Sequence, residues 1–184
     1  MKEGGKLRER TFSELHEIAL DEARRIHREK VEHAAVIDAA GNVTRCTGDA
    51  DGVAIPDRLY PAARIIVHNH PHELKVASSF SGEDVYNLFQ FRLDEIIVCG
   101  YGYYFYMRRG EAVVRALDVS AALKRIYRSV EKNTWKRLIE ISNENSGNLR
   151  TRYREYQIET LEAYHQEILA YAAEKKICYG KEML

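Results

Sequence analysis

The sequence has few cysteines, no excess charge of either sign and no long apolar run, and each shortage excludes a class of protein. Its 184 residues include three cysteines, no two of them close together, so we expect neither a disulfide framework nor a CxxC zinc site. No stretch approaches the roughly 20 apolar residues that span a bilayer. The 28 basic and 28 acidic side chains cancel, and a balanced chain has no overall field that attracts nucleic acid or an acidic membrane.

The N-terminal segment and the free thiols bear on where the protein resides. The first ten residues include basic side chains but no apolar run after them, so we expect no secretory signal. Unpaired cysteines are typical of a reducing compartment. Hydrophobic residues make up 45% of the chain, which is typical of a globular protein. We therefore expect a soluble, cytoplasmic protein with no membrane contact.

Changes in hydrophobic period predict the order of helices and strands up to residue 117. Spacings of three and four predict an amphipathic helix over Thr11–Lys30. A second helix is predicted to begin at Ser81 and to continue through Leu93. Short apolar or alternating runs bounded by turn residues predict strands. The predicted strands are His33–Asp38, Val43–Thr47, Arg64–His70, Glu95–Gly100, Tyr103–Arg108 and Ala112–Ala116.

The remainder of the chain has only helical periodicity, and no strand is expected after Ser120. The stretch Asn143–Asn148 is predicted to break this region into two helices. The complete order of elements predicts an α/β sandwich with a helical C-terminal extension. The predicted division lies near Asp118, with a metal-hydrolase domain over residues 1–117 and a helical extension over residues 118–184.

One constellation of residues indicates chemistry. The chain reads His68-Asn69-His70-Pro71 at the end of a buried strand, and Asp84 lies in the first turn of the helix that follows. Side chains alternate along a strand, so His68 and His70 point to the same side. Two imidazoles, one carboxylate and one water make a tetrahedral catalytic zinc site, in which the metal lowers the pKa of the bound water to about 7. The spacing therefore predicts a Zn²⁺ site held by His68, His70 and Asp84.

Such a site also needs a proton acceptor and a donor for the oxyanion. Glu32 precedes a strand that we expect to neighbour the histidine strand, so its carboxylate can take a proton from the attacking water. Ser81 can donate a hydrogen bond to the oxyanion, although Ser81 to Asp84 also has the pattern of a helix capping box. Glu29 and Asp38 are the competing carboxylates.

These residues resemble the JAMM (MPN+, JAB-domain) metalloprotease motif, an upstream glutamate followed by His-x-His-Pro and Ser-x-x-Asp. The asparagine between the histidines is similar to the RadC-like and phage-associated bacterial branch. The resemblance implies a cytidine-deaminase-like α/β/α fold with a mixed sheet. It also implies Zn²⁺ on the histidines and the aspartate, Glu32 as general acid/base, and Ser81 stabilising the tetrahedral intermediate. The implied activity is hydrolysis of a peptide or isopeptide bond, with the tail of a ubiquitin-like protein as one candidate substrate.

The spacing departs from the family pattern in one loop. Thirteen residues separate His70 from Asp84, where the motif usually has ten, and the extra residues fall in His72–Ser79. Loop insertions cost little free energy, so the ligands can still converge while the cleft rim changes. The alternative function is a non-catalytic, RadC-like DNA-repair or phage module that binds nucleic acid or a protein. A base deaminase is a weaker alternative because its Cys-x-x-Cys signature is absent.

The C-terminal region offers two surfaces whose roles stay open. A basic stretch over Lys124–Arg137 is explained by a solvated helix face or by an acidic partner. A seam that includes Leu161 and Ile168 at helical spacing is explained by intramolecular packing or by a homodimer or protein contact.

Overall fold

The computed structural model describes residues 8–49, 52–71, 77–144 and 149–184. The described chain forms one six-stranded mixed sheet in the order β2-β1-β3-β4-β5-β6, with helices packed on both faces. The strands are β1 (His33–Asp38), β2 (Val43–Thr47), β3 (Ala63–Asn69), β4 (Glu95–Gly100), β5 (Tyr103–Arg108) and β6 (Cys178–Met183). The helices are α1 (Phe12–Ile26), α2 (Gly82–Gln90), α3 (Ala116–Glu144) and α4 (Leu149–Glu174), with a short 3-10 helix over Asp57–Ala62.

Helix α1 covers one face of the sheet. Thr11 and Glu14 form a reciprocal capping box at its start, which satisfies two backbone N–H groups that otherwise lack partners. Its buried stripe packs on inward-facing residues of β1, β3 and β4, including Ile37 and Val67. The helix ends at Ile26, four residues before the predicted end, and the chain then turns toward β1.

The histidine strand lies at the centre of the sheet. β3 has β1 as a neighbour, as predicted, and the two strands pair antiparallel with Ala34 opposite His68. On its other side β3 pairs parallel with β4, with His68 opposite Val98. Parallel neighbours need a crossover connection, and the segment that contains α2 provides it. The start of α2 therefore returns to the end of the sheet where β3 stops.

The other three helices cover the second face. α2 and α3 pack against each other and α4 packs against α3, and their apolar residues share one core with the strands. Leu123 of α3 and Ile168 of α4 are fully buried in this core beside Ile96 of β4. The predicted helix break over 143–148 falls largely on residues 145–148, which lie outside the described residues. The predicted division into two domains near Asp118 stays a prediction.

Two sequence-based expectations about strands are wrong. Residues 112–115 are not a strand, and Val113 is fully exposed. The edge of β5 that a hairpin would have used is paired instead with β6, with Met107 opposite Tyr179. β6 lies beyond Ser120, where only helices were expected. None of the helices in the described ranges is both long and apolar enough to cross a membrane.

Candidate metal centre

The two histidines occupy the same side of β3 because a strand alternates its side chains. Ile66 packs in the core beneath α2, whereas Val67 packs beneath α1. His68 therefore faces the α2 side, and His70 follows it one strand-step later on that side. The backbone N–H of His70 still donates to the carbonyl of Cys99 at 3.1 Å, so the second histidine is held in line with the sheet before Pro71 ends the strand.

Asp84 reaches this end of the strand from the first turn of α2. Its Oδ1 lies 3.0 Å from Nε2 of His68, and its Oδ2 lies 3.7 Å from Nε2 of His70. The two imidazole rings are nearly perpendicular, with centroids 4.8 Å apart. One ligand atom from each of the three residues lies within 4.8 Å of the other two. The sequence-predicted ligands are thus brought together in space.

The donor atoms lie close enough together to share one divalent cation. His68 is buried, and its Nε2 has no hydrogen-bond partner among the described residues despite its closeness to the carboxylate. A buried nitrogen without a hydrogen bond costs free energy, and coordination to a cation removes that cost. The Nδ1 of His70 lies 3.3 Å from the hydroxyl of Ser78, which leaves its Nε2 free to coordinate. These residues fit a metal ion with two nitrogen ligands and one oxygen ligand, the set that suits Zn²⁺.

The pKa shifts of His70 and Asp84 favour the neutral imidazole and the carboxylate that bind a metal ion, whereas the shift of His68 favours a proton that a bound ion would displace. Burial and the neighbouring His68 lower the pKa of His70 to about 4, so this imidazole is neutral at pH 7. Burial opposes the charged form of Asp84, but the two histidines and the backbone N–H of Ser81 hold its pKa well below the usual range. Burial likewise opposes protonation of His68, and the adjacent Asp84 outweighs it and raises the pKa of that imidazole.

Glu32 lies in the loop before β1 and faces the same cleft. Its backbone N–H donates to the carbonyl of Asp49, and its carbonyl accepts from Gly48, so the loop is fixed on both sides. The charge of His68 and the backbone N–H of Val53 favour the ionised form of the Glu32 carboxylate. Burial, together with the charge of Asp84, raises the pKa of Glu32, which moves it toward the value useful for proton transfer near neutral pH.

The competing carboxylates do not reach the cleft. Asp38 lies at the far end of β1, where its side chain accepts hydrogen bonds from the backbone of the 38–42 turn. Glu29 is exposed and does not line the cleft. His72, which the sequence left as a loop histidine, lies outside the described residues, as does most of the lengthened part of the loop.

Ser81 occupies the N-cap of α2 beside the candidate metal ligands. Its hydroxyl accepts from the backbone N–H groups of Glu83 and Asp84, each at 3.2 Å. The carboxylate of Asp84 accepts in return from the N–H of Ser81 at 2.6 Å. One hydroxyl hydrogen of Ser81 remains, and the residue is exposed at the cleft. The capping box and a donor role for this hydroxyl are therefore compatible.

The asparagine between the histidines has a structural role that sequence reasoning did not assign. Asn69 points to the opposite side of β3, where it is buried. Its Oδ1 accepts from the backbone N–H of His33 at 2.7 Å, and its Nδ2 donates to the carbonyl of Val31 at 3.0 Å. Both partners flank Glu32, so one side chain fixes the carboxylate loop to the histidine strand. The period-two alternation was the signal that could have revealed it.

The cleft around these residues has a volume of about 560 Å³. Its remaining walls come from residues that sequence reasoning did not single out, among them Tyr60, Tyr86 and Asn87. Comparison of the chain with protein-family models, with curated proteins and with solved structures finds no match in any of the three.

Proposed function

We propose that the protein is a metal-dependent hydrolase of peptide or isopeptide bonds, of the JAMM type. The observation that carries the proposal is the convergence of His68, His70 and Asp84 on one point, with the buried Nε2 of His68 lacking any other partner among the described residues. The resemblance in sequence motif agrees with that placement. The cytidine-deaminase-like fold is part of the same proposal, and a mixed sheet with helices on both faces supports it.

His68, His70 and Asp84 would hold Zn²⁺, which when bound supplies a Lewis acid and a coordinated water of pKa about 7. The carboxylate of Glu32, partly withdrawn from solvent, accepts a proton from water and delivers it to the departing nitrogen. Its raised pKa favours the first of these transfers, because a carboxylate of higher pKa is a stronger base. The hydroxyl of Ser81 donates a hydrogen bond to the oxygen of the attacked carbonyl as negative charge develops on it.

The cleft restricts what the substrate can be. An extended peptide segment fits a groove of this volume with apolar walls from Ile55, Tyr60 and Phe91. A peptide or protein tail is therefore the proposed substrate class, and a ubiquitin-like tail is one member of it. Binding of partners or of a second copy through the C-terminal helices is proposed only as a secondary role.

The test is cleavage of a mixed peptide library by the purified chain, read by mass spectrometry. We expect cleavage that stops after treatment with a chelator and returns when Zn²⁺ is restored in equimolar amount. A chain that takes up zinc but cleaves no peptide and no isopeptide-linked substrate would contradict the proposal. Cleavage that persists unchanged in the chelator would also contradict it, because the three ligands would then have no part in the reaction.

A further inference from the structure

A second cleft opens on the other side of the metal ligands. It has a volume of about 420 Å³ and lies between the start of α2 and the helices α3 and α4. His70 and Ser81 line both this cleft and the one that contains Glu32. A chain that crosses the metal centre therefore has room on both sides of it.

The two clefts carry opposite charge. The cleft on the Glu32 side is lined by further acidic residues, Asp57 and Glu83, and by no lysine or arginine of the described chain. The second cleft is lined by Lys124 and Arg128 and by no described acidic residue. The candidate site therefore has acidic side chains on one side and basic side chains on the other, although the net charge of the chain is zero.

The two cations are available to a ligand. Lys124 and Arg128 are four residues apart on α3, so they lie on the same helix face. Both are exposed, and neither forms an ion pair within the described ranges. Another cation of the basic stretch does have an acidic partner, since Arg137 forms an ion pair with Glu159 at 3.7 Å.

Close packing holds Lys124 beside the catalytic end of α2. A Cβ added to Gly82 would lie 2.9 Å from Cε of Lys124, so the lysine side chain lies directly against the first turn of α2. The apolar floor of the cleft is also fixed. The ring of Tyr164 packs edge-to-face on Tyr127 with centroids 5.2 Å apart, and its hydroxyl donates to the carbonyl of Phe80 at 3.0 Å.

We infer that the substrate carries an anionic side chain on the acyl side of the scissile amide, and that Lys124 and Arg128 bind it. The inference rests on the proposed hydrolysis. In that reaction the water oxygen bonds to the carbonyl carbon, the C–N bond breaks, and both water protons end on nitrogen, one of them through Glu32. The products are a carboxylate and an ammonium group.

The orientation of the substrate across the two clefts follows from these proton transfers. Glu32 protonates the leaving nitrogen, so the amine portion lies in the acidic cleft, where its developing positive charge is stabilised. The acyl portion then occupies the second cleft, and a glutamate or aspartate side chain preceding the scissile bond meets the two cations. Complementary charge at a rim of this kind selects among substrates more than it adds affinity.

The experiment measures binding of acyl-product peptides to the purified full chain by fluorescence anisotropy. Two rhodamine-labelled peptides end in a glycine carboxylate and differ only in carrying two glutamates or two lysines before it. We expect the glutamate peptide to bind about tenfold more tightly at low salt, with the difference shrinking at high salt. Equal binding of the two peptides would overturn the inference.

Charge-reversal variants test whether Lys124 and Arg128 cause the preference for the glutamate peptide. Lys124→Glu combined with Arg128→Glu is expected to remove the preference for glutamate, and the corresponding alanine pair to weaken it. The matched control is Lys136→Glu with Arg154→Glu, which reverses two exposed charges that line neither cleft, and it should retain the preference. Equal loss in the control would show a general field instead of a subsite.

The same series separates this inference from the proposed function. We expect the preference with the metal removed by chelator and with Zn²⁺ added, because the cations act independently of the metal ligands. Preference without cleavage of any peptide would overturn the hydrolase proposal and leave the anion subsite standing. Cleavage without preference for either charge would overturn the subsite alone.

Discussion

The Oδ1 of Asn69 accepts a hydrogen bond from the backbone N–H of His33 at 2.7 Å, and this bond joins the loop that carries Glu32 to the strand that carries both histidines. The Nδ2 of the same side chain donates to the carbonyl of Val31. The Asn69 side chain therefore positions the loop of Glu32 relative to the candidate metal ligands, through hydrogen bonds to backbone groups alone.

We predict that Asn69→Ala retains metal but loses activity. Two partly buried backbone groups lose their partner, so the free energy of unfolding falls by about 2 kcal/mol, and the turnover number falls because Glu32 is no longer fixed. Asn42→Ala is the control, since its side-chain amide donates to Asp38 at the far end of β1, away from Glu32. The measurements are metal content, thermal stability and turnover. Loss of metal in Asn69→Ala, or turnover equal to wild type, would contradict the positioning role.

Glu32→Gln tests the proton acceptor with almost no change in size. We predict that metal binding is unchanged and that the turnover number falls by about 10²–10⁴-fold, the usual contribution of a positioned general base. Glu29→Gln, three residues earlier and exposed, should behave as wild type. A Glu32→Gln protein with normal turnover would remove Glu32 from the mechanism and require another base in the cleft.

Substitutions of Ser81 separate its capping role from its donor role. Ser81→Ala removes both, and Ser81→Gly removes the hydroxyl while costing only a few tenths of a kcal/mol as an N-cap, compared with about 1 kcal/mol for alanine. We predict that both variants lose about 10²–10³-fold in turnover although their stabilities differ. Ser81→Thr should retain most activity. If turnover instead follows stability across the three variants, the hydroxyl acts only as a cap.

The stability of the α1 face is expected to depend on pH through Glu22. This buried carboxylate accepts hydrogen bonds from Arg45 and Arg25, and the Arg45 contact is the main cause that lowers its pKa. A lowered folded-state pKa stabilises the fold above the unfolded value of about 4.5. That contribution is lost as the pH falls through the folded-state pKa.

Urea unfolding from pH 7 to pH 3 measures this contribution. We expect Glu22→Gln to be less stable than wild type at pH 7 and the difference to shrink below about pH 4.5. Asp21→Asn is the control, because Asp21 is exposed and its ion pair is with the exposed Arg24 one turn later. A difference between wild type and Glu22→Gln that stays constant over the whole range would contradict the role given to this ionised group.

Hydrophobic periodicity and turn residues in the sequence were enough to predict the bounds of four of the six strands. β1, β2, β4 and β5 have the predicted bounds, because each combines apolar or alternating residues with flanking turns. β6 escaped prediction because Cys178–Met183 is polar and contains a glycine, and its partner β5 lies about 70 residues earlier in the chain. Gly180 is required there, since an added Cβ would lie 2.6 Å from the ring of Tyr106.

The site shows the same limit. Period-two spacing placed His68 and His70 on one side of β3, and the capping pattern placed Asp84 in the first turn of α2. The hydrogen bonds that join Asn69 to the Glu32 loop depend on pairing between strands more than 30 residues apart in sequence. The charged cleft at Lys124 depends on the packing of α3 against α2, which no local pattern specifies.

Metal content of the purified protein tests the central claim most directly. After exposure to Zn²⁺ and removal of excess by gel filtration, wild type is expected to retain about one zinc per chain by mass spectrometry. His33→Ala removes a ring that bonds to Thr47 and is not among the three candidate ligands, so it should retain the same amount, while His68→Ala and Asp84→Ala should retain almost none. Wild-type protein that is folded but retains no zinc, or His68→Ala that retains as much as wild type, would contradict the account.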